Sequence, residues 1–192
     1  MLSVLQILTL LQIAAHAYAN KPRKVVIGID GGTESIRACC FDAVDGRVIG
    51  TSCAVPYKTF HPQPGWAEQN PQDWYHNLGA AVRGAVRSLK GLEEDVDICA
   101  ICVDTTCCSV VALDENNDPL RPSLLWMDAR SASQTKEILD VARGDSALSV
   151  NCNGEGPISA EWMSPKALWI KVNHYLMILY KYCINFDWSY EI

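Results

Sequence analysis

The chain has 192 residues, 49% of them hydrophobic and 20% charged, with a formal net charge of −6. That balance fits a globular core and excludes a disordered or low-complexity chain. The acidic excess and the lack of any Lys/Arg cluster argue against nucleic acid as a partner.

Residues 1–20 form an apolar leader or alternative N-terminus. Ala17-Tyr18-Ala19 has the small-x-small form of a cleavage site, yet no Lys or Arg precedes the apolar run and no Asn-x-Ser/Thr sequon occurs. The run is marginal in length for a membrane span, so no membrane partner is expected. Nine cysteines, an odd number, lie mostly in apolar strand-like runs, including Cys39, Cys40, Cys99, Cys102, Cys107 and Cys108. Reduced thiols acting as small hydrophobes are expected, and with them a cytoplasmic location.

Three strands follow in quick succession, at residues 25–30, 35–41 and 47–55, the last reached through the hairpin signal Asp45-Gly46. After the Pro/Gly-rich loop 57–65, Asn70 and Pro71 start a helix that runs to about Lys90. Trp74, Leu78, Ala81, Val82, Ala85, Val86 and Leu89 form its apolar stripe, which suits packing on a sheet. A buried strand is expected at 96–104, another at 108–113, and a turn at 114–119. A short strand at 124–128, a helix at 131–142, a Gly-rich loop at 153–157 and a helix at 164–171 complete the series. Three strands before the first helix suit a mixed sheet rather than a simple doubly wound one.

The chemistry concentrates where the first strand turns into the second, in Gly28-Ile29-Asp30-Gly31-Gly32-Thr33-Glu34-Ser35-Ile36-Arg37. A buried strand delivers Asp30 to Gly31-Gly32, Thr33 adds a hydroxyl, and Arg37 follows on the next strand. Turn amides and Arg37 can meet anionic oxygens, while Asp30 can hold a hydrated Mg²⁺. The competing reading is an ordinary hairpin whose Asp30 and Thr33 satisfy turn amides. Neither Gly-x-x-x-x-Gly-Lys-Ser/Thr nor Gly-x-Gly-x-x-Gly occurs, so any phosphate would be held by a β-hairpin.

Further motifs come in order: Gly65-Trp66-Ala67-Glu68-Gln69-Asn70-Pro71, then Asp104-Thr105-Thr106-Cys107-Cys108-Ser109. They are followed by Leu125-Trp126-Met127-Asp128-Ala129-Arg130 and Glu161-Trp162-Met163-Ser164-Pro165-Lys166. With the hairpin, these make the chain resemble the N-terminal domain of the FGGY carbohydrate kinases, especially the pentulose (ribulokinase-type) members.

The resemblance implies an α/β fold: a ribonuclease H-like (actin/hexokinase-type ATPase) domain with a mixed sheet flanked by helices, here truncated. It assigns 24–171 to the kinase N-terminal domain and 172–192 to a divergent tail, with the second kinase domain absent. The implied cofactors are ATP and Mg²⁺, with Asp30 as the metal residue and Asp30, Gly31, Gly32, Thr33 and Arg37 facing the nucleotide phosphates. Asp104, Thr106, Cys107, Cys108, Trp126, Glu161 and Lys166 would bind the sugar or polyol, Lys166 by donating to a pentulose oxygen. Asp128 and Arg130 are expected to form a structural pair. The small Cys107-Cys108 pair favours a ribulose-like pentulose. In this family the general-base aspartate and most adenine and ribose contacts come from the second domain, so no catalytic base is assigned here. The function implied is ATP-dependent phosphorylation of a carbohydrate hydroxyl, with this chain inactive alone. The alternative is a non-catalytic sugar-binding or regulatory fragment.

Overall fold

The computed structural model describes residues 21–91, 95–146 and 158–173. The apolar leader, the Gly-rich loop 153–157 and the tail from 174 onward lie outside the described residues. The chain divides into two compact units, one running to Val55 and resuming over Leu78–Asp104, the other made of Pro56–Asn77 and the chain from Thr105.

The first unit holds a four-stranded sheet built from β1 (Arg23–Gly31), β2 (Ser35–Asp42), β3 (Val48–Pro56) and β5 (Val96–Thr105), in the order β3-β2-β1-β5. Alternation in β1 buries Val25, Ile27 and Ile29, and β2 answers with Ile36, Ala38 and Cys40. β1 and β2 pair antiparallel, with Asp30 opposite Arg37 and Gly31 opposite Ile36. β5 runs the same way as β1: Arg23 N–H donates to the Asp95 carbonyl (2.7 Å), and two residues on, the Val25 carbonyl meets Cys99 Sγ. The sheet is therefore mixed, as the strand order of the sequence suggests.

The β2–β3 turn is closed by Asp42, whose carboxylate accepts from the N–H groups of Val44 (2.7 Å) and Asp45 (3.3 Å) and from Arg23 (2.7 Å). These donors, the Val44 amide above all, hold its carboxyl below the ordinary carboxylate range. Gly46 takes φ +73° in this turn, where a side chain would be strained.

Helix α1 (Pro71–Arg87) starts where Asn70 Oδ1 accepts from the Gln72 N–H (3.1 Å), with Asp73 in its first turn. Its later turns belong to the sheet unit. Gly84 lies so close to β3 that a Cβ there would collide with Cys53, and Ser88 Oγ accepts from Thr51 N–H (2.9 Å). Ala81, Ala85 and Leu89 of the expected apolar stripe are buried.

The second unit contains β4 (Glu68–Gln69) paired antiparallel with β6 (Ser123–Leu124), helix α2 (Ala132–Ala142) and helix α3 (Met163–Asn173). Val110, Ala112, Leu124 and Ile170 form its core, with Met163 and Trp169 packed against them. Buried Gln69 is satisfied on both sides, donating to Thr59 Oγ1 and accepting from Trp74 Nε1, each at 2.8 Å.

Three expectations need correction. Residues 108–113 form no strand, only isolated bridges from Val110 to Leu124 and from Leu113 to Pro119. Cys108 at φ +64° leaves the extended conformation that a ladder requires. The strand at 124–128 shortens to Ser123–Leu124 because a turn closes there, with Asp128 N–H donating to the Leu125 carbonyl (2.9 Å). The strand at 96–104 exists, but it is not buried: Ile98, Ile101 and Val103 are 41%, 59% and 57% exposed. β5 ends the sheet among the described strands, and the α1 contacts with Cys53 and Thr51 cover the β3 side instead. Cys99 and Cys102 on β5 are exposed for the same reason, Cys107 is exposed in the loop after it, and Cys40 fills the core as expected.

Candidate functional site

The β1–β2 hairpin presents an open polar tip. The register sets Asp30 beside Arg37, and their side chains meet at 3.4 Å while remaining 53% and 56% exposed. An exposed pair of this kind contributes at most about 1 kcal/mol to stability, so an incoming anion can recruit Arg37 at little loss. Gly32 sits tightly in the turn: a Cβ there would lie 3.3 Å from both Arg37 Nη2 and the Ser35 carbonyl, so these neighbours would have to give by a few tenths of an ångström. Gly28, four residues earlier on β1, leaves room for the Phe41 ring, which a Cβ would approach to 2.8 Å. Gly31, Gly32 and Thr33 are half-buried around this tip.

Among the described residues no group of three His, Cys, Asp or Glu side chains could cage a metal ion. A single half-exposed carboxylate at Asp30 nevertheless fits Mg²⁺, which keeps several waters and takes phosphate oxygens as further ligands.

In the second unit the pairing of β4 with β6 brings two of the motifs together. Asp128 is fully buried and accepts from Ala67 N–H (2.6 Å), from Arg130 N–H (3.0 Å) and from the Arg130 guanidinium at 2.7 and 2.8 Å. Glu68 binds both Arg130 and Arg121, each at 2.7 Å. The Arg130 guanidinium stacks 3.7 Å above the Trp66 ring, which meets Trp169 edge-on at 5.7 Å. Two guanidinium groups and two carboxylates thus neutralise one another in a nearly solvent-free setting, and burial pushes the Arg121 guanidinium below its ordinary value. Asp128 and Arg130 do form the structural pair expected of them. Glu68, Arg121, Trp66 and Trp169 were given no role by the sequence reading. Glu68 and Trp66 stood in a recognised motif, but Arg121 and Trp169 carried no distinguishing pattern.

Lys166 on α3 is fully buried. Its ammonium donates to the carbonyls of Trp126 (3.0 Å), Ala160 (3.0 Å) and Glu161, with Trp162 at 3.4 Å. Desolvation brings its pKa down to about 8, opposed by the nearby Cys108, Asp128 and Glu161. This placement differs from a free donor facing a sugar: its three N–H bonds are already taken by backbone oxygens. The cation instead ties the start of α3 to the Trp126 segment.

The structure brings Lys166, Cys108, the Trp126 carbonyl and the Glu161 carbonyl into one neighbourhood. Glu161 exposes its side chain while its N–H donates to Ser159 Oγ (3.1 Å). Trp126 is half-buried, its N–H donating to Ser109 Oγ (3.1 Å). Thr106 and Cys107 are exposed on the loop leading to Cys108. Asp104 is exposed near the end of β5, in the other unit.

These motifs have counterparts in known proteins. Residues 25–177 match the model of the FGGY family of carbohydrate kinases, N-terminal domain. The chain belongs to that family. It is 33% identical over 149 residues to a xylulose kinase of Lactococcus lactis, covering 77% of this chain and 28% of that protein. It is 30% identical over 154 residues to glycerol kinase 1 of Streptomyces avermitilis, covering 77% of this chain and 28% of that one. The crystal structure of a xylulose kinase from Rhodospirillum rubrum superposes with a TM-score of 0.70 at 26% identity, over 81% of this chain and 30% of that chain. The fold is thus that of the actin/hexokinase-like FGGY kinases. The chain spans less than a third of the length of these relatives. Among its described residues no helix is long and apolar enough to cross a membrane.

Proposed function

We propose that this chain supplies the phosphate-facing hairpin and part of the sugar-facing surface of an ATP-dependent carbohydrate kinase acting on a pentulose hydroxyl. The observation that carries the reading is the open Asp30–Arg37 tip, held in register by β1 and β2 and left half-exposed. Phosphoryl transfer asks a protein chiefly for positioning and charge neutralisation. Arg37 and the Gly31-Gly32-Thr33 turn would meet the terminal phosphate oxygens. Asp30 would hold the waters of a Mg²⁺ ion, which when bound neutralises phosphate charge. The pentulose class is supported by relatives named as xylulose kinases, and the small side chains at Cys107 and Cys108 keep ribulose in view.

Thr106, Cys107, Cys108, Trp126, Glu161 and Asp104 remain the proposed sugar-side residues. Lys166 enters this reading as the tie that holds the Trp126 and Glu161 segments together. With no general base assigned in the chain, turnover at background is expected: losing such a base removes about 10²–10⁴-fold.

Thermal-shift titration of the chain with D-xylulose, D-ribulose, L-ribulose and ribitol, with and without Mg-ATP, tests the reading. Stabilisation by Mg-ATP that disappears in Arg37→Ala supports the phosphate hairpin. Stabilisation by sugar alone would favour the non-catalytic binding fragment. Pentulose-dependent ADP release by the chain would overturn the background-activity expectation.

A further inference from the structure

Two pairs of adjacent cysteines occur in this chain, and the backbone treats them oppositely. Cys39 and Cys40 lie within β2, where successive side chains point to opposite faces of the sheet. Accordingly Cys40 is buried and Cys39 is half-exposed, its thiol donating to the Cys40 carbonyl at 3.8 Å rather than meeting the other sulfur. Cys107 and Cys108 lie in a loop, and Cys108 adopts φ +64°. Only one other described non-glycine residue has a positive φ, Asn117 in a turn. That left-handed residue breaks the strand alternation, and the two thiols share a hydrogen bond. Cys107 is exposed and Cys108 half-buried, so the pair has one open side. On its closed side Cys108 sulfur accepts from the Met163 N–H at the start of α3 and lies near the Lys166 ammonium. Burial and the adjoining Cys107 outweigh both groups and raise the Cys108 thiol above its ordinary value, so it stays protonated and can give up its S–H proton in a condensation.

Adjacent Cα atoms across a trans peptide are about 3.8 Å apart. Ordinary disulfides span roughly 4.4–6.8 Å, so a direct S–S bond here would be strained. One larger bridging atom relieves that strain. No third His, Cys, Asp or Glu completes a metal cage among the described residues, so the atom must bring its own remaining ligand.

We propose that Cys107 and Cys108 form a chelating dithiol site for a soft, thiophilic trivalent atom that carries one organic substituent, a mono-organo arsenical. The reaction is a condensation: two S–H bonds and the As=O bond break, two As–S bonds form, and one water leaves. No electrons are exchanged. The site stands on the cysteine geometry and does not depend on the kinase reading.

The test treats the full reduced chain with phenylarsine oxide and reads intact mass, followed by differential alkylation. One adduct per chain is expected, with Cys107 and Cys108 both protected from alkylation. The adduct should survive excess monothiol and be removed by 2,3-dimercaptopropanol. Cys107→Ser and Cys108→Ser should each abolish it, while Cys39→Ser should leave it unchanged. Protection mapped in the unsubstituted chain keeps the test decisive even if a serine variant misfolds. Alkylation of Cys107 and Cys108 in the arsenical-treated chain, or an adduct mapped to Cys39 and Cys40, would overturn the proposal.

Discussion

The β1–β2 hairpin tip and the Glu68–Arg121–Asp128–Arg130 cluster contain the same kinds of charged group in opposite settings. At the tip, Asp30 and Arg37 stand 3.4 Å apart and half-exposed. In the cluster, Arg130 and Asp128 stand 2.7 Å apart with 1% and 0% of their side chains exposed. Water screens the first pair, so it contributes little to stability and its groups stay available to a ligand. In the second pair desolvation has already been offset by mutual pairing, and every charge there is committed. Residue type alone therefore does not say which role a carboxylate plays; burial decides that.

The strongest way to break this contrast is Asp128→Ala. It strands the Arg130 guanidinium without its main partner and should destabilise the second unit by about 3–5 kcal/mol. Urea denaturation followed by tryptophan fluorescence would show it, since Trp66 packs against Arg130. A loss below about 1 kcal/mol would mean the cluster is as dispensable as a surface pair.

Next in size is Lys166→Met, which leaves the carbonyls of Trp126, Ala160 and Glu161 without their donor. A loss of about 1–3 kcal/mol is expected for unsatisfied buried acceptors. The same lysine makes stability depend on pH. Its pKa in the fold is about 8, below the ordinary 10.5, so the unfolded chain binds more protons between those values. Stability of the wild-type chain relative to Lys166→Met should therefore rise as pH climbs from about 8 towards 10.5. A flat difference across that window would place the ammonium in a wetter setting than its carbonyl contacts indicate.

The smallest stability effect belongs to the hairpin. Arg37→Ala and Asp30→Asn should each change unfolding free energy by no more than about 0.5 kcal/mol. Both should nonetheless weaken any stabilisation by Mg-ATP. Substantial unfolding in either variant would show that the tip is built for folding rather than for a ligand.

Local signals in the sequence carried much of the fold. The run Val25-Val26-Ile27-Gly28-Ile29, the Asp45-Gly46 turn and the Asn70-Pro71 helix start each depend on short-range preferences, and each element formed close to the expected bounds. The 124–128 strand and the 108–113 strand failed because periodicity cannot report a left-handed residue such as Cys108 or an early turn at Leu125.

The sequence by itself determined the order of the elements, the hairpin tip with Asp30 and Arg37 in register, and membership of a kinase family, because all of these follow from neighbours along the chain. Only the tertiary structure decided that Lys166 is consumed by backbone carbonyls, that Arg121 joins Glu68, that β5 lies exposed at the sheet edge, and that Cys107 and Cys108 share one side. Solvent exclusion and pairing across dozens of residues set those outcomes, and neither is written in the spacing of side chains.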